Sequence, residues 1–499
     1  MTSMDLYGLA PCISLTVVGA LALLLEVAGI PVGARRRGPR GHIAVVTVVG
    51  IAVAAALAAS SWDDAATGVA LFGGQVRLDR FGIIITLVAC ASALIGVMVS
   101  VQYLRARDLE RGEVYALVAF TAAGMSVMGM SSDLLVLFVA LEVLSVGVYA
   151  LTGLDRDNDR SAEAALKYFI NGAFAAGVLL FGMALAFGAT GSTSMQALAD
   201  TAARGTGDAA VLARVGLALV LAGIGFKAAV IPFHGWVPDV YEGAPAPVTA
   251  FMSAGVKAVA FAALLRLCAS LVPAQGPAAD VFVQLAWVAA VATMTLGNLA
   301  ALAQRRIKRM LAYSSVAHAG YVLVGVTALL AGRGQAVQAV AFYLVAYGFL
   351  SLGAFGVVAF LERKDARRDR QGNSYEEWSG AARRYPAAGL AMCVFMFGLA
   401  GVPPTAGFVG KLDLFLEAVR AGLLPLVIIA VLNSLVSVYF YLRVLVFMYM
   451  KEPDRDLQGT GGPWLVVGVA TAAAAVMVLG ITPSRYLELA QAAVVLVTR

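Results

Sequence analysis

Three lysines, Lys227, Lys257 and Lys411, and one glutamate, Glu142, stand near the middle of long apolar segments. A charge at the centre of a bilayer costs roughly 2.5–3.5 kcal/mol on insertion scales, so such residues normally face a polar interior and act there. Amine and carboxyl groups both take up and release protons. The pattern predicts ion movement, protons first, along a buried charged axis.

Each residue admits more than one reading. Glu142 lies nine residues beyond Asp133, which opens its span. At 1.5 Å per residue it sits about 14 Å deep. It is either a static counter-ion or a switch whose distance from Lys227 sets that lysine's proton affinity, and the switch is favoured. A nearby carboxylate strengthens a lysine's hold on its proton and desolvation weakens it. Lys227 is expected to be the first carrier, Lys257 the middle one and Lys411 the last. The competing readings are a snorkelling lysine or a satisfied ion pair; snorkelling is disfavoured because all three are expected several turns from a helix end. His318, beside Ser314 and Ser315, and His234 are relay candidates, since histidine titrates near neutral pH; either can equally be a buried ring satisfied by one hydrogen bond. Lys167 and Lys308 open their spans and read as interfacial anchors, and Glu26 reads as interfacial. Asp239 and Glu242 either cap a helix or attract protons at a cytoplasmic mouth.

The composition says what carries these charges. Of 499 residues, 61% are hydrophobic and 13% charged, and the mean hydropathy is +0.86. A soluble domain is nearer half apolar and a quarter charged. The apolar residues fall in runs of about 20, the length that crosses a bilayer, without the two-residue alternation of a barrel. An all-α polytopic membrane protein is predicted. The net charge of +6 lies in short loops and is no nucleic-acid signal. Cys12, Cys90, Cys268 and Cys393 stand singly, with no metal or iron–sulfur spacing. No metal site and no nucleotide or flavin motif is expected on this chain. The first apolar run carries its arginines after it, the reverse of a signal peptide.

Fourteen spans are predicted: 7–30, 41–60, 81–103, 113–131, 133–153, 163–190, 208–242, 245–269, 281–303, 308–331, 335–361, 386–419, 423–449 and 463–483. Connections on one side carry 24 of the 36 Lys and Arg residues and those on the other carry 9, the three buried lysines making up the rest. By the positive-inside rule both termini lie on the outer face of a bacterial inner membrane. The connection 239–246 disagrees mildly, with two acids and no base. The polar stretch 362–385 reads as a solvated cytoplasmic loop, with a docking surface as the alternative.

Two spans are expected to be broken. Span seven holds Pro232, Pro238, Pro245 and Pro247, and span twelve holds Gly401, Pro403, Pro404, Gly407 and Gly410. Proline removes a backbone donor and clashes one turn back. Two breaks five spans apart suggest two inverted five-helix repeats. The expected division is a three-helix segment (1–112), a first repeat of helices 4–8 (113–272), a second of helices 9–13 (273–450), and a C-terminal helix 14 (451–499).

The segments DLLVLFVALEVLSVGVYALTG, GFKAAVIPFHGWVPDVYEGAPAPVTAFMSAGVKAVAF, IKRMLAYSSVAHAGY and GLAGVPPTAGFVGKLDLF carry a resemblance. Over residues 80–450 the chain resembles the antiporter-like membrane subunits of respiratory complex I and their Mrp antiporter relatives. Lysine at 257 and 411 is most similar to the subunit-N branch of the NADH-quinone oxidoreductases, and the chain lacks the long lateral helix of the L branch. The resemblance implies proton translocation through Glu142, Lys227, Lys257 and Lys411 by a non-redox subunit of a translocase. NADH, FMN, iron–sulfur clusters and quinone would belong to partner subunits. The implied partners are neighbouring antiporter-like and small hydrophobic membrane-arm subunits and the lipid bilayer. The alternatives are a membrane subunit of an Mrp-type Na⁺/H⁺ antiporter and an inert membrane scaffold.

Overall fold

The computed structural model describes residues 3–29, 40–272, 279–362, 373–452 and 457–494. Parts of three polar connections (30–39, 363–372 and 453–456) lie outside the described residues, including most of the arginines of 35–40 and the centre of the 362–385 loop.

The chain opens with a short α1 (Ser3–Gly8), then α2 (Ala10–Ala28) and α3 (Gly41–Ser60). A two-stranded antiparallel hairpin, β1 (Val69–Leu71) and β2 (Val76–Leu78), leads into α4 (Arg80–Ala106). Next come α5 (Gly112–Met130), α6 (Leu134–Thr152), α7 (Asp159–Thr190) and the amphipathic α8 (Met195–Arg204). The seventh span is α9 (Gly207–Ala228), an irregular segment, and α10 (Val237–Gly243). The eighth is α11 (Ala246–Phe251), a π-helical turn at Met252–Val256, and α12 (Lys257–Leu271). Then follow α13 (Ala279–Leu302), α14 (Ile307–Leu330), α15 (Ala336–Leu361) and one turn, α16 (Ala381–Arg384). The twelfth span is split into α17 (Pro386–Ala400) and α18 (Ala406–Arg420). After it come α19 (Leu424–Met450), α20 (Pro463–Ile481) and α21 (Pro483–Val494).

Among the described residues, 13 helices are long and apolar enough to cross a membrane. The pair α17–α18 completes the fourteen predicted spans. The boundaries follow the apolar runs to within a few residues, because in hydrocarbon a helix must satisfy every backbone group internally.

Burial separates an inner group from an outer one. The apolar stretch of Ala246–Leu271 is 100% buried and that of Ile307–Leu330 is 89% buried, whereas α2, α3, α7 and α13 bury about a third of theirs. The outer helices expose Phe174, Leu166 and Val146, as a lipid-facing surface permits. Lys257 and His318 ride on the innermost helices, α12 and α14. Close crossings come from small residues. A Cβ on Gly182 of α7 would meet the Gly216 carbonyl of α9 at 2.8 Å.

Both predicted breaks are present, at 229–236 and 401–405. Each contains a cis X–Pro bond, Ile231–Pro232 and Pro403–Pro404. Pro238 does not break its span as expected. It sits in the first turn of α10, where a missing N–H has no intrahelical partner to lose. Pro247 likewise starts α11, with Pro245 as its N-cap. The hairpin, α8 and α21 were not anticipated: the strands are three residues each, and the two short helices are too polar for a hydropathy signal.

Candidate functional site: a buried charged axis

The first break places Lys227. α9 ends at Ala228 because Ala229 turns left-handed, and Val230 N–H then returns to the Gly225 carbonyl at 2.9 Å. Trp236, the last residue of the break, donates from its indole to the Phe226 carbonyl at 3.0 Å. The helix end is thereby satisfied without a charge. Lys227 lies in its last turn, not several turns from a helix end as expected. The end itself is buried, so the ammonium cannot snorkel, and it lies at the negative pole of the helix dipole.

The Lys227 ammonium donates to Ser145 Oγ at 2.9 Å, and Ser145 donates to the Leu141 carbonyl at 2.5 Å. The rings of Tyr168 and Tyr149 flank it at 4.9 and 5.2 Å, a cation–π setting. Glu142, Ser145 and Tyr149 share one face of α6, at helical spacings of three and four. Glu142 is half-buried and within electrostatic reach of Lys227, yet the two form no ion pair among the described residues. Its Oε1 is buried without a hydrogen-bond partner. A cavity of about 10 Å³ adjoins Ser145, Tyr149 and Lys227.

Lys257 follows the π-helical turn, a feature frequent at functional sites. Its ammonium donates to the Ser315 carbonyl at 2.5 Å and also to Ser315 Oγ. The Tyr347 ring lies 5.7 Å away. Ser315, His318 and Tyr321 lie three residues apart along α14. His318 is buried: its Nδ1 meets Tyr343 OH at 2.5 Å and its Nε2 meets Tyr441 OH at 2.9 Å. Tyr441 in turn shares a 2.5 Å bond with Ser314. His318 thus makes two hydrogen bonds between Lys257 and Lys411, rather than the single bond of a passive core ring.

Lys411 belongs to the second half of its broken span but reaches back to the first. It donates to the Leu399 and Ala400 carbonyls at 2.8 and 3.1 Å and to Ser434 Oγ at 3.0 Å. Those carbonyls are orphans of the α17 C-terminus. Gly401, at φ +85°, ends α17, and a Cβ there would stand 3.0 Å from Lys411 Cδ. Tyr321 places its ring 4.9 Å from the ammonium. Tyr321 also accepts from Asn298 at 3.1 Å, and Asn298 donates to Asn433 Oδ1 at 3.3 Å.

The four axial residues therefore form a series. Polar groups join Lys257 through Ser315, His318 and its tyrosines toward Lys411. The interval from Lys227 to Lys257 is aromatic: Tyr168 stacks on Trp236 at 4.5 Å, and Trp236 meets Tyr241 at 6.2 Å. Serine and tyrosine placed at helical spacing inside apolar spans are the readable signal for these partners; of them only Ser314 and Ser315 stand close in sequence to a titratable residue, His318. His234 stands apart, in the first break, with Nδ1 buried and unpartnered.

Asp239 and Glu242 act neither as caps nor as open carboxylates. Asp239 pairs with Lys167 and Arg309, each at 2.8 Å, and Glu242 with Arg309 at 3.0 Å and with Arg306. The bases missing from connection 239–246 arrive from α7 and from the α14 end. Lys308 is no interfacial anchor. It is buried, donates to the Ala244 carbonyl at 2.7 Å and pairs with Glu362 at 3.1 Å. Tyr103 and Asn373 also donate to Glu362, at 2.5 and 2.9 Å. Burial alone would raise the Glu362 carboxyl; Lys308, Arg107 and these hydrogen bonds outweigh it and hold the group below the usual carboxylate range. Glu26 is also buried, paired with Arg40 at 2.8 Å.

The family model described as NADH:quinone oxidoreductase/Mrp antiporter, transmembrane, matches residues 131–437. The chain is 42% identical to NADH-quinone oxidoreductase subunit N of Trichlorobacter lovleyi, over 99% of this chain and 98% of that one. It is 42% identical to the subunit of the same name from Myxococcus xanthus, over 96% and 95%. Among solved structures, a chain of respiratory complex I from Thermus thermophilus with bound aureothin is 35% identical. It superposes with a TM-score of 0.79 over 96% of this chain and 98% of that chain. A chain of the Mrp complex from Dietzia sp. is 22% identical with a TM-score of 0.85 over 100% and 98%, a likeness of fold alone. The chain belongs to the NADH:quinone oxidoreductase/Mrp antiporter family of membrane subunits.

Proposed function

We propose that the chain is a proton-translocating membrane-arm subunit of a bacterial NADH-quinone oxidoreductase, a non-redox part of a translocase. Glu142, Lys227, Lys257 and Lys411 carry the protons, His318 relays between the last two lysines, and His234 has no part in the axis. NADH, FMN, iron–sulfur clusters and quinone belong to other subunits, and the energy of quinone reduction reaches this chain as conformational and electrostatic change. The observation that carries this reading is the serial placement of three buried lysines, each ammonium held by hydroxyl or carbonyl oxygens and none by a carboxylate at contact distance. A lysine in a tight ion pair keeps its proton; one held by neutral oxygens can release it when a nearby charge moves.

Helices α5–α12 and α13–α19 form two inverted repeats, the fourth span broken in each. Both termini lie on the outer face of the inner membrane, a reading supported by the excess of Lys and Arg in the connections of the opposite side. An Mrp-type antiporter subunit is the weaker reading, because that likeness is one of fold while the identity above 35% is to oxidoreductase chains. The test is Lys227→Ala in membranes bearing the assembled complex. NADH-driven acidification and coupled quinone reduction should both fall by at least tenfold. Normal pumping in that variant removes Lys227 from the path, and loss of sodium-dependent growth with intact respiration favours the antiporter.

A further inference from the structure

Beside α21 lies a slot that the charged axis does not use. It runs between α4, α15, the end of α20 and α21, with a volume of about 290 Å³. Along α4 it extends from Ile84 to Ser92, and along α15 from Ala341 to Leu352. At 1.5 Å per residue that is roughly 12–16 Å. One leaflet of hydrocarbon has the same depth, about half of 30 Å. Ile84 stands in the second turn of α4 and Leu479 in the last turn of α20. The slot therefore starts near the membrane surface and runs inward. It is open on one side only: Leu489 at its rim is 43% exposed, whereas Phe342 on its inner wall is 3% exposed.

The lining and the dimensions select the guest. The only polar side chains that line the slot are Ser92 and Tyr486, and the Ser92 hydroxyl is spent on the Val88 carbonyl at 2.7 Å. An internal water needs two to four polar partners, so water does not fill this space. A helix about 10 Å across would need roughly 1000 Å³ over the same depth, so a transmembrane segment does not fit. Left empty, the slot would forfeit dispersion contacts along every wall. A single hydrocarbon chain matches the depth, the width and the apolar lining. At the surface end, α21 exposes Ser484, Arg485 and Glu488. Arg485 precedes the slot-lining Tyr486 and has no ion pair among the described residues. A guanidinium at that level suits a phosphate.

We propose that the slot is a binding site for one acyl chain of a phospholipid whose phosphate lies at the level of Arg485. Lipid tails are as apolar as the lining, so affinity comes from contact on several walls and from the phosphate rather than from the hydrophobic effect. The inner wall is the back of the π-helical turn. A Cβ on Gly348 would stand 3.9 Å from Ala254 Cβ, and one on Gly255 would stand 3.1 Å from Ser92 Cβ. The bound chain thus lies one side-chain layer from the segment that carries Lys257. The site itself rests only on the chain's crossing a membrane, not on the proton-carrying role of the axis.

The test uses the membrane assembly that contains this chain, in vesicles of phosphatidylethanolamine and phosphatidylglycerol. A fraction of the phospholipid carries a diazirine midway along one acyl chain. After illumination, peptide mapping should find adducts on Phe342 or Leu352, which lipid on the open face does not reach. Ala91→Trp puts an indole into the slot and should lower that labelling at least about tenfold, with labelling of the exposed Phe174 unchanged. Arg485→Glu should lower it several-fold by repelling the phosphate. Ala341→Phe fills the same slot from α15 and serves if Ala91→Trp does not assemble. Adducts confined to exposed side chains such as Leu489 and Phe174 overturn the proposal. So does undiminished labelling of Phe342 in a filled variant, or recovery of a quinone in place of phospholipid from the slot.

Discussion

The two broken spans solve one problem in different ways. In the first, the end of α9 is closed by neutral donors, Val230 N–H and the Trp236 indole. Lys227 is then free to point elsewhere, with Ser145 as its one hydrogen-bond acceptor and Glu142 within electrostatic reach. In the second, Lys411 itself satisfies the Leu399 and Ala400 carbonyls, and no acid stands at contact distance. The first lysine has an acid nearby that no ion pair fixes to it; the second is held by fixed dipoles. In the mechanism proposed above the first ammonium is a switch, while the second is also a structural pin.

The largest effect that separates them comes from removing each charge. Lys411→Met leaves the buried Leu399 carbonyl without a donor and the Ala400 carbonyl with only the 3.4 Å bond from Ser434, at about 1–3 kcal/mol for the unsatisfied group. It should stop translocation and also lower the thermal stability of the purified complex. Lys227→Met loses one hydrogen bond, about 1 kcal/mol, so translocation should stop with little change in melting temperature. Melting curves and NADH-driven acidification on the same preparations check this. Equal destabilisation by both substitutions erases the distinction.

Glu142→Gln sharpens it. Coupled turnover should fall about tenfold, because the carboxylate that tunes Lys227 is gone. Added to Lys227→Met it should cost nothing more, while added to a partly active Lys411→Arg variant its cost should remain in full, by the logic of a double-mutant cycle. A static counter-ion would instead leave turnover near normal in Glu142→Gln.

The charges and spans were legible in the sequence because each is a local property. A run of about 20 apolar residues fixes a span by its length, and a lysine inside it is visible without neighbours. The prolines marked both breaks, but not which proline would start a helix, as Pro238 does. What each ammonium touches was not legible. Ser145 lies 82 residues from Lys227 and Ser315 lies 58 from Lys257, and a hydroxyl within an apolar span leaves no mark on hydropathy. Lys308 misled for the same reason: an end-of-span lysine looks like an anchor until Glu362, 54 residues on, is brought against it.

That buried pair gives the segment after the first break, α10 and the connection behind it, a pH dependence of its own. Glu362 draws Lys308 to the Ala244 carbonyl just beyond α10, whereas the lysine at the second break is held by carbonyls and a hydroxyl and, among the described residues, by no carboxylate. The Glu362 carboxyl is held below its unfolded value. Its stabilisation is therefore complete above an ordinary carboxylate pKa, roughly 4.3, and is lost as pH falls through the depressed folded value. Proteolysis or hydrogen exchange at 237–246 should rise as pH drops below about 4, with 401–406 less affected. Glu362→Gln should loosen 237–246 at neutral pH already, since it removes the carboxylate that pairs with the buried Lys308.

The smallest effect tests whether the end of α9 is closed by neutral groups. Trp236→Phe keeps a ring to stack on Tyr168 and removes only the indole N–H from the Phe226 carbonyl. About 1 kcal/mol of stability should go, with translocation kept. Val230 N–H still closes the helix end, so Lys227 has no reason to turn back toward it. If Trp236→Phe abolishes translocation while the protein stays folded, Lys227 has been recruited to the exposed carbonyl. The first break would then behave as the second does, with its lysine a pin.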